Sequence, residues 1–184
     1  MFYKNARIFT GDFTFKTGAF EVVDGKFGVI LPENVPEDAI DLQGATVIPG
    51  LIEVHSHGNS GYDFSDGSYE GLVEMAKFYL SCGVTSFAPA SMTLPYDVLE
   101  KAFATAVKLA EEKPEGCAVL RGIQMEGPYF SYKKRGAQNP DYLKEPAPPF
   151  PGPGHGSAAA FLPPEPAPEQ SWSAVSTAAC SHPL

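Results

Sequence analysis

Basic residues are scarce in this 184-residue chain: 13 Lys and Arg stand against 22 Asp and Glu, a formal net charge of -9. Binding to nucleic acid needs a dense Lys/Arg surface to replace counterions, so the balance argues against nucleic acid as a partner. No apolar run approaches the length of a membrane span, and the first residues lack the apolar core of a secretory signal. The expectation is a cytoplasmic protein with no membrane partner. Three widely spaced cysteines form neither a disulfide framework nor a CxxC metal pair, and Cys82 and Cys117 are expected to be buried free thiols. A glycine-rich phosphate loop, a nucleophile elbow and a Cys-His pair are all missing. What is present is 43% hydrophobic and 12% aromatic residues, enough to build a core.

Residues 1–48 read as a small all-β unit. Short alternating runs occur at Ala6–Phe9, Ala19–Val23 and Lys26–Ile30, and Asp24-Gly25 between the last two is a hairpin signal because that turn needs positive φ. A further strand–turn–strand follows at Asp41–Val47. Beyond residue 57 the period lengthens. Leu72, Val73, Met75, Ala76, Phe78, Tyr79 and Leu80 form a helical face closed by Gly83, and Val84–Pro89 reads as a buried strand. A second helix starts near Pro95 or Tyr96, with Leu99, Phe103, Ala106, Val107 and Ala110 facing inward, and ends before Pro114. Ala118–Met125 is the next strand. Strand, helix, strand, helix, strand is the order of a parallel α/β sheet.

Chemistry concentrates at two places. In Pro49-Gly50-Leu51-Ile52-Glu53-Val54-His55-Ser56-His57-Gly58, the two histidines are two apart, so a strand aims both imidazoles to one side. Imidazole is a common ligand for divalent ions such as zinc and iron. The second place is Met125-Glu126-Gly127-Pro128-Tyr129-Phe130, where the third strand gives way to a loop. Two βα units after the histidines, Glu126 can converge with them on a metal. Asp63 and Asp66 are candidates to support the histidines, with Asp66 also read as a helix N-cap. Lys133, Lys134 and Arg135 could hold a phosphate or be a solvated turn.

These residues carry a resemblance. Pro49–Gly58 resembles the first-strand motif of the amidohydrolase superfamily. Met125–Phe130 together with Lys133–Pro140 is similar to the N-acetylglucosamine-6-phosphate deacetylase family within it, and Gly83–Pro89 fits the same family's second strand. The similarity covers residues 1–145. It implies an incomplete (β/α)8 barrel of about three βα units, at residues 49–145, beside part of a small β-sandwich at 1–48. It also implies metal-dependent hydrolysis of the N-acetyl group of a small-molecule sugar phosphate, N-acetylglucosamine 6-phosphate. On this resemblance Glu126 is a metal ligand, and His55 and His57 match positions that hold a second ion in some members. The cofactor is thus one or two divalent ions, zinc or iron. Ala137 and Gln138 match a pair that contacts the sugar. The family's acid/base aspartate and two more metal histidines fall beyond the matching region, and the full-length family implies a homodimer.

Residues 146–184 differ in kind. Ten of these 39 residues are proline, and Glu165 and Glu169 are their only charges. Such a segment is expected to be a disordered tail, and the break suggests an out-of-frame stretch. His155 and His182 lie in it and receive no role. Two other readings stay open: another amidohydrolase, dihydroorotase-like or deaminase-like, and a non-catalytic fragment or metal-binding module.

Overall fold

Alternating apolar residues and an Asp-Gly turn build the first of two compact units, Met1–Leu51. In the computed structural model, which describes residues 1–145 and the backbone of 159–161, this unit holds five strands. They are β1 (Phe2–Phe9), β2 (Phe15–Val23), β3 (Lys26–Ile30), β4 (Ile40–Asp41) and β5 (Thr46–Val47). The β2–β3 hairpin turns at Asp24 and Gly25, both with positive φ (50° and 73°), and pairs Val23 with Lys26. Strand β1 lies antiparallel to β2 and parallel to both β4 and β5. One face buries Ala6, Ile8 and Phe20, with Tyr3 stacked on Phe20 at 5.0 Å between ring centroids.

The second unit begins at Ile52. Its elements are β6 (Leu51–Ser56), a two-residue hairpin of β7 (Gly58–Asn59) and β8 (Tyr62–Asp63), then α1 (Tyr69–Ser81) and β9 (Val84–Pro89). Helix α2 (Tyr96–Glu112), β10 (Val119–Leu120), β11 (Gly122–Gln124) and β12 (Ala159–Phe161) complete it. Central strand β9 pairs with β10 in parallel and neighbours β6 on its other side. The helices cover this sheet through Leu72, Met75 and Tyr79 of α1 and Ala102, Ala106 and Leu109 of α2, packed around Phe87 and Leu120. Burying each large apolar side chain is worth about 1.5–3 kcal/mol, so this cluster carries the unit.

Several expectations need correction. Phe78 and Val107 are exposed, because an apolar stripe wider than the contact leaves its flank in water. The strand expected at 118–125 is two short ones. At Arg121 the backbone N–H still reaches the Phe87 carbonyl at 2.9 Å, and beyond it β11 bridges Ala90 instead. Cys82 is exposed, since it follows the last turn of α1 rather than sitting on its inner face, and Cys117 is half-buried. Ser68, not Asp66, caps α1, its hydroxyl accepting from the Gly71 N–H. Asp66 instead closes a capping box with Asp63 around a single 3-10 turn.

The tail expectation falls largely outside the described residues. Within it, Ala159–Phe161 do form a strand, antiparallel to β11. An edge with open backbone groups accepts such a partner whatever its wider composition.

Candidate metal centre

Strand β6 ends at Ser56, so it carries His55, and His57 is the first residue past it; both rings nevertheless turn to the same carboxylate oxygen. His55 is placed by its own backbone, whose N–H donates to Glu53 Oε1 at 2.8 Å. His57 is held from both ends. Its carbonyl accepts from Phe64 N–H at 2.7 Å, and its ring Nδ1 stands 3.0 Å from the carbonyl of Ala90. A carbonyl can only accept, so Nδ1 carries the proton, and in the neutral ring Nε2 presents a lone pair.

Glu126 meets both rings. Its Oε2 lies 2.9 Å from His55 Nε2 and 3.2 Å from His57 Nε2. The rings stand edge to face, 5.4 Å apart at 90°. What brings a carboxylate to histidines some 70 residues earlier is the end of β9. There Ala90 N–H donates to the Ser56 carbonyl and Ser91 N–H to the Gln124 carbonyl, both at 2.9 Å. Two consecutive residues thus tie the end of β6 to the end of β11; His55 and His57 flank the first tie at Ser56, and Glu126 follows the second by two residues.

Among the described residues, His55, His57 and Glu126 form a group of potential ligands whose donor atoms all lie within 4.8 Å of one another. The arrangement fits a cation. An unprotonated His57 Nε2 and a carboxylate oxygen 3.2 Å away oppose each other unless something positive, a metal ion or a proton on the ring, lies between them. Ligand atoms about 2.1 Å from a tetrahedral ion stand roughly 3.4 Å apart; the His57–Glu126 separation of 3.2 Å is close to that, and the His55–Glu126 separation of 2.9 Å is shorter, the length of a direct hydrogen bond. Two imidazoles and one carboxylate suit zinc, iron and similar ions.

The other candidates from the sequence are placed as follows. Gln138 is buried, and its Nε2 donates to Glu126 Oε1 at 2.9 Å while its Oε1 accepts from Thr93 N–H at 2.9 Å. Ala137 is exposed beside it. Asp63 and Asp66 bond within their own turn. Lys133 and Lys134 are exposed, and the Arg135 guanidinium lies over the Tyr132 ring at 4.2 Å. Tyr129 hydrogen-bonds Tyr96 between hydroxyls at 3.2 Å, and that bond, with some burial, pushes its phenol up to about 12. Ala90 and Thr93 went unnoticed in the sequence, because both act through the backbone and no side-chain pattern marks them.

No family model matches the chain. The N-acetylglucosamine-6-phosphate deacetylase of Vibrio furnissii is 34% identical over 108 residues, 59% of this chain and 27% of that protein. The enzyme of the same name from Bacillus subtilis (strain 168) is 31% identical over 147 residues, 77% of this chain and 37% of its relative. The chain is a relative of the N-acetylglucosamine-6-phosphate deacetylases. The solved deacetylase of Pasteurella multocida superposes on 80% of this chain and 40% of its own with a TM-score of 0.70 and 32% identity. The Thermotoga maritima deacetylase does so over 80% and 38%, with a TM-score of 0.64 and 26% identity. The chain therefore spans roughly a quarter to two-fifths of the deacetylases it matches.

Proposed function

We propose that this chain carries part of the active site of a metal-dependent deacetylase acting on N-acetylglucosamine 6-phosphate, with water releasing acetate and leaving the amine. The observation that carries the proposal is the meeting of His55, His57 and Glu126 at one point in a chain related to proteins of that name. A divalent ion held there would supply Lewis acidity toward water and toward the amide carbonyl. The side chains of His55, His57 and Glu126 would bind it, and the bond from His57 Nδ1–H to Ala90 fixes the tautomer of the neutral ring whose Nε2 lone pair would serve as ligand. Ala137, exposed next to Gln138, belongs to the turn proposed to meet the sugar. The proton transfer that completes amide hydrolysis needs a further acid/base, and among the described residues no aspartate or third histidine joins the cluster.

The corresponding fold proposal is a (β/α)8 barrel of which β6–α1, β9–α2 and β10–β11 are the first units. Strand β6 supports it: Ile52 and Val54 are 69% and 58% exposed, apolar surface of the kind a continuing barrel covers. The test is direct. Purified chain is loaded with Zn2+ or Co2+ and offered the sugar phosphate, and acetate release is followed. Metal bound stoichiometrically with acetate released supports the proposal. Metal bound without acetate release assigns this chain a metal-binding role only, and no metal bound removes the proposal altogether.

A further inference from the structure

Gln138 is only 7% exposed, and a side-chain amide that deep must satisfy both of its ends. Its orientation is decided by its partners. The Thr93 N–H can only donate, so the amide oxygen faces it, and the NH2 group must then face Glu126 Oε1. Glu126 is thereby divided: Oε1 is committed to the amide, and Oε2 faces both imidazoles. The hydrogen bonds also close on themselves. Thr93 lies two residues after Ser91, whose N–H donates to the Gln124 carbonyl, and Gln124 lies two residues before Glu126. The amide thus locks the carboxylate against the same backbone that delivers it.

We propose that Gln138 is a positioning residue that makes Glu126 a single-oxygen metal ligand, by holding Oε1 away from the ion and turning Oε2 toward it. The inference rests on the metal reading of the site and goes beyond it. It gives Gln138 a role besides a sugar contact, since the two bonds use one N–H and one lone pair of an amide that has two of each. A residue bonded to a ligand in this way tunes affinity by about 10- to 100-fold.

The test compares wild type with Gln138→Glu and Gln138→Met. The glutamate keeps an acceptor for Thr93 N–H but loses the donor to Glu126, whereas methionine keeps the length and loses both bonds. Co2+ is titrated into each metal-free chain by its visible absorption, and Zn2+ affinity is measured against a competing chelator dye. Folded fraction is followed on the same samples by circular dichroism. The expected result is metal binding weakened about 10- to 100-fold in both variants, with an altered Co2+ spectrum and with the folded fraction of Gln138→Glu unchanged. Affinity equal to wild type in both variants overturns the inference while leaving the metal site standing. So does a loss that follows the folded fraction alone. Wild type that binds neither ion overturns the metal reading and this inference together.

Discussion

Gly127 sits where the chain turns from Glu126 toward the loop, with φ at +85°. A Cβ added there would stand 2.0 Å from Thr93 Oγ1, 3.0 Å from Thr93 Cβ and 3.3 Å from Thr93 Cα. Rotating the threonine could remove the first contact. It cannot remove the other two, and Thr93 is 2% exposed, with no room to swing out. Gly127→Ala therefore carries two costs: about 1–2 kcal/mol for the left-handed backbone and about 1–3 kcal/mol for overpacking. Gly136 separates them, because it too has positive φ (61°) but an added Cβ would meet nothing within 4 Å. Gly136→Ala should lose only the backbone part. Urea unfolding followed at 222 nm should place Gly127→Ala below Gly136→Ala by about 1–3 kcal/mol. Moving Thr93 also shifts the N–H that holds Gln138, so Gly127→Ala should bind Co2+ more weakly as well. Equal stability of the two alanine variants would refute the reasoning, since the clash would then have no energetic consequence.

Three further outcomes are expected. Ser68→Ala removes the cap of α1 and should cost about 1 kcal/mol in the same urea experiment, while Asp66→Ala should leave the α1 cap intact. The Tyr69 hydroxyl donates to Glu112, which pushes its phenol up to about 12 from the usual 10. That contribution is present in full below pH 10 and is lost as pH rises from 10 toward 12. Glu112→Ala should bring the Tyr69 titration, read at 295 nm against a Tyr69→Phe blank, back toward 10. Zinc at 100 times its dissociation constant should stabilise the second unit by about 2.7 kcal/mol. Glu126→Gln should abolish most of that gain, and an unchanged melting temperature on adding zinc to wild type would speak against the site.

Much of the fold was legible because it is local. The Asp24-Gly25 turn, the α1 stripe and the β-branched run at Val84–Pro89 each follow from neighbours within a few residues. The misreadings have local causes too. Asp66 looked like a cap because it precedes a helical pattern, yet its carboxylate accepts from the Asp63 N–H at 3.0 Å, leaving Ser68 to cap the helix. Cys82 looked buried because it continues an apolar pattern, but the helix ends one residue before it.

By itself, the sequence set His55 and His57 to share a side, because residues two apart in an extended chain point the same way. It also marked Glu126, through a carboxylate set at a strand's end before Gly-Pro. Only the tertiary structure decided how the three meet. The clamp at Ala90 and Ser91, the protonated nitrogen of His57 and the Thr93 N–H that orients the Gln138 amide each depend on backbone groups 33 to 45 residues away along the chain. Their partners are N–H and C=O groups that every residue carries, so no residue type announces them. Such bonds are specified by packing alone.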